Sequence, residues 1–394
     1  MRDPSHASGF DAAARSDVFF DAEHRMLRDQ LRRFVAEEIV PHAETWEAAG
    51  DVPREVLRRM GGLGFLGIRY PEAFGGSAMD ARGSVVLAEE LGRSTFGGVA
   101  ITVLVHTDMA SVHVFNAGTE AQKAAWMPGI VSGEVITAVA VTEPGAGSDV
   151  KALRTTARRD GGDWVIDGAK TFITNGALAN LYCVAARTGG PGRSSHGISM
   201  FLVERGTPGL HVVRRLEKHG WRSSDTAELA FDGLRVPAAN ILGGEGQGFY
   251  AIMQNFQNER LVLGAMTMGE AQAALDLTIA YLRQRQAFGA PLWEKQALRL
   301  RLAALAAKVE AGRQMVYATA ARIARGEEVV REVSMIKAYC GELVNEVMHA
   351  CLQAHGGTGF MLGTAIERMA RDARVQSIGG GATEVMLEEV AKRL

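Results

Sequence analysis

The hydrophobic period of this chain changes twice, and the two changes confine it to a helix–sheet–helix architecture. Between Phe19 and about Glu134 apolar residues recur at helical spacing. AEHRMLRDQLRRFVAEEIV sets Met26, Leu27, Leu31, Phe34, Val35 and Ile39 on one side, and Pro41 follows. VPREVLRRMGGLGFLGI, GSVVLAEELGR and MASVHVFNAGTEAQKAAWMPGIVSG keep that period, with Gly-rich breaks such as PEAFGGSAMD. From Val135 to about Gly244 the runs are short and β-favouring: VITAVAVTE, DWVIDGAKTFIT, LYCVAARTG, GISMFLVERG, LHVVRRLE and TAELAFDGLRVP. No helical stretch separates them, so the pattern predicts an antiparallel sandwich or barrel and not βαβ units. From Gln247 the helical period returns. It predicts an opening helix around QNERLVLG and then three long helices, EAQAALDLTIAYLRQRQAF, LRLRLAALAAKVEAGRQMVYATAARIARG and VREVSMIKAYCGELVNEVMHACLQAHGG, gathered into a bundle.

The resulting division is a flexible N-terminus (1–18), an N-terminal helical domain (19–134), a central β-domain (135–245) and a C-terminal helical bundle (246–394), an α+β multidomain fold. A length of 394 residues agrees, being long for one core. With 43 basic against 45 acidic residues, no global field draws nucleic acid or an anionic membrane. No run approaches the roughly 20 apolar residues of a membrane span, and MRDPSHASGFDAAARSD lacks the apolar centre of a secretion signal. Cys183, Cys340 and Cys351 are too few for a disulfide framework, so a reducing, cytoplasmic compartment is the expectation. GPGRSSHG (190–197) reads as a surface loop.

One carboxylate stands apart. In QNERLVLG, Glu259 shares a helical stripe with Ile252, Phe256, Val262, Leu263 and Met266. On that face desolvation would raise its pKa and make it a usable base; the bland alternative is a stripe-edge glutamate paired with Arg260. Other segments carry a binding reading and a structural one. VTEPGAGSD (141–149) holds Gly145 and Gly147, which let a ligand approach the backbone or simply turn the chain. It is neither a Rossmann fingerprint nor a P-loop. KTFITNGALAN (170–180) ends a strand at Phe172, Ile173 and Thr174 beside an Asn-Gly turn. RQRQAFG (283–289) closes a helix with Arg285 and Phe288 as an i,i+3 pair suited to a phosphate and an aromatic ring, or merely stops at Gly289. QAHGG (353–357) ends a helix at paired glycines, a close-approach site or a C-cap. RDARVQSIGGGATEVM (371–386) joins two helical stretches through three consecutive glycines, 379–381. His349, Cys351 and His355 have no partner spacing elsewhere, so no metal site is expected. No Ser-His-Asp order or nucleophile elbow is visible.

As an ordered set, VTEPGAGSD, KTFIT, R-x-x-F-G, QAHGG and RDAR…IGGGATEV resemble the acyl-CoA dehydrogenase family of flavoenzymes, over about Phe19 to the C-terminus. The resemblance implies an N-terminal helical domain, a central β-domain and a C-terminal four-helix bundle. It also implies FAD as cofactor, an acyl-CoA substrate, an electron-transfer flavoprotein as acceptor, and a homotetramer, a dimer of dimers, with FAD sites shared between subunits. By position, Val139, Val141, Thr142, Gly147 and Ser148 would lie along the flavin, Ser148 also toward the substrate's phosphate arm. Phe172, Ile173 and Thr174 stand at the family's W-I-T/S position: the hydroxyl would reach flavin N5, and Phe, in place of the commoner Trp, would shield the ring. Arg285 and Phe288, and likewise Gln353, Gly356 and Gly357, match contacts to the neighbouring subunit's FAD. Thr383 and Glu384 would lie beside FAD, where Ala382 replaces a usual Thr.

The base is where this chain departs from much of that family. Many members carry the catalytic Glu in the Gly-rich segment after R-D-A; here that place is Gly380. Subgroups similar to isovaleryl-CoA and long-chain acyl-CoA dehydrogenases carry it on the first bundle helix instead, at the place of Glu259-Arg260. The implied reaction is α,β-dehydrogenation. Glu259 would take the α-proton of the thioester while the β-hydride passes to flavin N5, with a ribityl hydroxyl and the Gly380 N–H on the thioester carbonyl. Phe256, Arg260, Gly379 and Gly381 would line the acyl pocket. Small residues at 379 and 380 imply a branched or long chain, of citronellyl-CoA or long-chain type, over butyryl-CoA. The alternatives are an acyl-CoA oxidase, a dehydrogenase of carrier-bound acyl groups, or a non-catalytic flavin-binding scaffold.

Overall fold

The computed structural model describes residues 18–189 and 194–394. Most of the segment read as a flexible N-terminus, and residues 190–193 of the loop GPGRSSHG, lie outside the described residues. The N-terminal region is helical: α1 (Ala22–Phe34), α2 (Ala43–Ala49), α3 (Arg54–Gly62), α4 (Ala81–Gly92), α5 (Gly97–Leu104), α6 (Ser111–Ala117) and α7 (Glu120–Ser132). Asp21 caps α1 by accepting the backbone N–H groups of Glu23 and His24. Between α5 and α6 the chain makes a π-turn, Val105–Ala110. The stretch Gly97–Ala117 is long and apolar enough to cross a membrane, contrary to the sequence reading, but it is packed inside the protein. It is the helix on which the other layers are assembled.

The central region is one eight-stranded sheet: β1 (Thr137–Ala140), β2 (Thr156–Asp160), β3 (Asp163–Thr174), β4 (Leu181–Arg187), β5 (Ile198–Glu204), β6 (Leu210–Arg215), β7 (Thr226–Pro237) and β8 (Ile241–Leu242). The order is β6-β7-β3-β2-β4-β5-β8, with β1 beside β4. Two expectations change here. The sheet is mixed, because β4 pairs in parallel with both β1 and β2. It is also not a closed barrel, since β6 and β8 remain the two ends of the order. Register shifts in β3, at Ile166/Gly168 and Lys170/Ile173, accompany the curl that brings Trp164 within 5.5 Å of Phe201. Closure would need β6 to pair with β8, and β8 is only two residues long. The apolar run LYCVAAR is explained by two covered faces. Tyr182, Val184 and Ala186 point into the curled sheet, while Leu181, Cys183 and Ala185 pack on Tyr70, Val114 and Ile130 of the helical region.

The C-terminal region contains α8 (Gly248–Gln284), α9 (Gln296–Ala324), α10 (Val330–His355), the short α11 (Gly357–Phe360), α12 (Ala365–Ala373) and α13 (Thr383–Ala391). The expected opening helix and the helix of EAQAALDLTIAYLRQRQAF are one continuous element of 37 residues. The glycines between them do not break it because they serve close packing. A Cβ on Gly264 would collide with Ile336 of α10, and one on Gly269 with the Glu89 carbonyl of α4. The bundle therefore continues into the N-terminal region, where Glu89 is buried in ion pairs with Arg28 at 2.7 Å and Arg313 at 2.9 Å.

Candidate functional site

Glu259 lies on the buried side of α8 and is 8 % exposed. Burial pushes its carboxyl up to about 8, against smaller opposing effects of the Asn255 amide and the Arg260 charge. The Arg260 guanidinium lies 5.6 Å from the centre of the Phe256 ring and reaches Ser334 Oγ at 3.4 Å, so it is not in a close ion pair with Glu259. The bland reading of a stripe-edge pair is thus not what the geometry shows. Two asparagines that the sequence reading passed over tie this turn down. Asn255 Nδ2 donates to Glu259 Oε1 at 2.9 Å and to Met109 O at 3.0 Å, and Asn258 Nδ2 donates to Asp108 O at 2.8 Å. Asn255 precedes Glu259 by four residues, so helical periodicity alone could have flagged it.

The glycine segment meets α8 one turn further on. A Cβ on Gly380 would lie 2.6 Å from Leu263 Cδ1, and Gly380 has φ of +68°. Gly381, at φ +111°, would meet Met386. Both positions therefore require glycine for backbone reasons, independently of any acyl pocket, which weakens the size argument for substrate. The segment is held from α10 by Lys337, whose Nζ donates to Gln376 O and to Gly381 O at 3.2 Å. The Gly379 N–H goes to Val375 O at 2.8 Å, and among the described residues no acceptor meets the Gly380 N–H. Thr383 opens α13 and donates to Glu342 Oε1 at 2.9 Å, with Glu384 exposed beside it.

The sheet delivers its loops to the same helical layer. Asn175 Nδ2 donates to Thr102 O at 3.0 Å and Thr137 O at 3.3 Å, fixing the end of β3 to α5 and β1. The same helical stretch then supplies, through its π-turn, the carbonyls that hold Asn255. Phe172 sits on the β3 bulge at φ +59° and is 68 % exposed. Thr174 is half-buried, whereas Ile173 is buried in the sheet interior, so its side chain cannot face a ligand. Val139, Val141 and Thr142 are half-buried, and Gly147 and Ser148 are exposed. A Cβ on Gly145 or Gly147 would meet nothing, so these glycines leave a free face. The anchor of this loop is Glu143, which the sequence reading did not single out. It accepts from Arg154 N, Thr155 N and the buried Lys170 ammonium, the last at 2.8 Å.

The remaining expected residues gather elsewhere. Arg285 leaves the helix in extended conformation, and Gln286–Ala287 pairs with Ala290–Pro291 in a hairpin. Phe288 and Gly289 form its turn at φ +53° and +78°, and Phe288 is 93 % exposed. The expected helical i,i+3 pair is therefore corrected to a hairpin tip, because Phe288 takes a left-handed backbone that no helix accommodates. Gln353, Gly356 and Gly357 lie close to this end of α8, where Tyr281 stacks on His355 at 4.3 Å and donates to its carbonyl at 3.3 Å. From Glu259 to Arg285 the helix runs roughly 40 Å, at 1.5 Å per residue. The expected residues thus fall into two groups well separated along α8.

Comparison with known proteins decides the family. Family models described as the N-terminal, middle and C-terminal domains of acyl-CoA dehydrogenase match residues 21–134, 138–234 and 246–394. A long-chain specific acyl-CoA dehydrogenase from Sus scrofa mitochondria is 38 % identical over 95 % of this chain and 87 % of its own. The chain belongs to the acyl-CoA dehydrogenase family. An isovaleryl-CoA dehydrogenase from Pongo abelii is 36 % identical over 92 % of this chain and 86 % of its own. The crystal structure of an acyl-CoA dehydrogenase from Geobacillus kaustophilus superposes with a TM-score of 0.92 at 40 % identity, covering 95 % of this chain and 98 % of that one. As an acyl-CoA dehydrogenase, the protein is an oxidoreductase acting on an acyl-CoA. Within that family fold, Leu263, one turn after the buried Glu259, meets the Gly380 segment, and the π-turn that holds Asn255 continues the helical stretch to which the end of β3 is tied.

Proposed function

We propose that this protein oxidises an acyl-CoA thioester to the 2-enoyl-CoA with Glu259 as the base, an FAD bound along the sheet loops, and a branched or long acyl chain as substrate. The cofactor fits the residues present. Gly145 and Gly147 offer backbone with no protein atom across from it, and Phe172 stands out of its strand as an aromatic wall. Thr142, Ser148 and Thr174 are hydroxyls at the same edge. FAD, when bound, supplies the two-electron acceptor for the β-hydride.

The residues of the chain account for the other half of the reaction. Glu259 removes the proton at Cα, and its burial matches its basicity to a weakly acidic C–H better than an exposed carboxylate could. The Gly380 N–H, with no acceptor among the described residues, is available to the thioester carbonyl, where negative charge develops as the proton leaves. The single observation carrying this reading is the desolvated Glu259 carboxylate one turn from the residue that touches Gly380. Arg285, Phe288, Gln353, Gly356 and Gly357 are assigned to the FAD of a neighbouring subunit, in a tetramer built as a dimer of dimers. Their distance from Glu259 and the near-complete exposure of Phe288 support that assignment. Electrons leave to an electron-transfer flavoprotein in the same proposal.

Anaerobic titration of the yellow protein with isovaleryl-, citronellyl-, palmitoyl- and butyryl-CoA, followed by flavin absorbance, tests it. Bleaching by the branched or long thioesters ahead of butyryl-CoA is expected. Glu259→Gln should bleach about 10²–10⁴-fold more slowly with FAD content unchanged. Equal bleaching rates in the variant would remove Glu259 from its role, and preference for butyryl-CoA would overturn the substrate assignment.

A further inference from the structure

Asn255 is buried on α8, one turn before Glu259. Its Nδ2 is shared among Glu259 Oε1, Met109 O and Asp108 O, at 2.9, 3.0 and 3.3 Å. The last two are carbonyls of the π-turn Val105–Ala110, where the helical ladder slips and leaves carbonyls free for other donors. Carbonyl oxygens only accept, so they decide which end of the amide faces them and, with it, which end faces Glu259. Asn255 Oδ1 is turned away from them and meets no donor among the described residues. An amide buried with its oxygen unpaired is a poor core residue. What the position supplies is one N–H aimed at the base.

We propose that Asn255 is a positioning residue for Glu259: the π-turn carbonyls orient its amide, and the amide fixes the carboxylate's rotamer and stabilises its ionised form. This rests on the reading of Glu259 as the base. Of the groups around Glu259, only the amide both favours its ionised form and hydrogen-bonds its carboxyl; the Arg260 charge adds a smaller effect in the same sense from a distance. Arg260 is the next residue on α8, but its own environment is shared with Glu389 and Arg393 of the C-terminal turn. Asp108, on the π-turn, is paired with Arg69 at 3.1 Å and bonded by Thr107 Oγ1 at 2.7 Å. Lys337, on α10, is committed to Gln376 O and Gly381 O.

Asn258 provides the control, since it tethers α8 to the same π-turn through Asp108 O and Oδ1 while its amide makes no hydrogen bond to the Glu259 carboxyl. The readout is the protonated-carboxyl infrared band of Glu259, isolated as the difference from Glu259→Gln and titrated with pH on the flavoprotein, alongside the pH profile of flavin reduction. Asn255→Leu should raise the midpoint by about one unit and lower reduction near pH 7 about tenfold, as loss of a hydrogen bond to the charged form requires. Asn255→Ala replaces it should leucine not be accommodated, and Asn255→Gln should restore part of the shift. Asn258→Leu should lower thermal stability and leave the midpoint in place. An unmoved midpoint in Asn255→Leu, or in Asn255→Ala where it stands in, or equal shifts in that variant and Asn258→Leu, overturns the proposal. The infrared titration follows the carboxyl without turnover, so a failure of the base reading appears separately, as undiminished flavin reduction by Glu259→Gln.

Discussion

At the scale of single residues, the site is built from groups placed where their ordinary chemistry is disfavoured. Glu259 is a carboxylate on an apolar stripe, and the stripe is visible in the sequence as Ile252, Val262, Leu263 and Met266. What the stripe could not show is that Arg260 turns to Phe256 and Ser334, leaving an amide as the close partner of the Glu259 carboxyl. Gly380 is the second case. Its left-handed backbone disfavours a side chain, and Leu263 would have to shift its tip to admit one, so Gly380→Ala should cost about 1–3 kcal/mol of stability. It should also displace the N–H assigned to the thioester carbonyl. Chemical denaturation of Gly380→Ala, with kcat measured at saturating thioester, checks both; unchanged stability would mean that the segment simply relaxes. Ile173 marks the limit of transferring residues by position, because its neighbours reach the surface while its own side chain fills the sheet.

At the scale of elements, α8 does two jobs at its two ends. Its first half carries Glu259, the proposed base, and beyond its end lies the Phe288 hairpin. A phenylalanine held almost fully in water in left-handed conformation costs stability without return inside the protomer, apart from a 5.7 Å contact with Lys295. A neighbouring subunit and its cofactor would repay that cost. Phe288→Ser should therefore leave the protomer's secondary structure intact, reduce FAD retained on gel filtration, and shift light scattering toward smaller species. Retained FAD in an unaltered assembly would dismiss the hairpin as an assembly element. The hairpin was illegible in the sequence because RQRQAFG continues a helical period without interruption until Gly289. Only the local pairing of Gln286–Ala287 with Ala290–Pro291 turns the chain out.

At the scale of the whole molecule, buried ionisable groups that bridge the regions set how stability depends on pH. Glu270 of α8 is buried with one oxygen accepting from Gln376 at 3.2 Å, and burial, with the nearby Asp372 charge, pushes it up to about 8. Glu259 is pushed to about 8 as well. Both therefore hold protons in the folded chain that the unfolded chain has released above its ordinary 4.5, so stability falls as pH rises until about 8. His106 and His113, held down to about 4 by burial, act in the opposite sense, but only below their ordinary 6.5. Asp372, raised to about 6, is mostly ionised by then and adds to the same decline only at the start of the window. From 6.5 to about 7.5 the two glutamates dominate; nearer 8, Lys170, Lys218 and Lys337, each held down to about 8 by burial, begin to act in the opposite sense. Denaturant unfolding at fixed FAD should show stability declining across that window, and Glu270→Gln should roughly halve the slope. An equal slope in the variant would show that Glu270 is ionised in the folded protein. At acid pH the order reverses for Glu89, which the buried Arg28 and Arg313 hold down to about 2; its contribution is lost as pH falls below 4.5.

The sequence by itself determined the succession of helical and sheet regions, the apolar faces, and the Gly-rich segments around the site, because hydrophobic period and backbone permissiveness are local properties. It also placed Glu259 on a buried face. The tertiary structure alone decided that the sheet curls without closing, that the opening helix and its successor are one, and that Phe288 leaves the helix. The first two depend on contacts between segments distant in sequence, β8 too short to meet β6 and Gly264 and Gly269 seated against α10 and α4; the third depends on short-range backbone pairing that the side-chain pattern does not announce. The partner of the Glu259 carboxyl was decided as the first two were. Nothing local announces a π-turn more than a hundred residues away, yet its carbonyls orient the amide that faces Glu259.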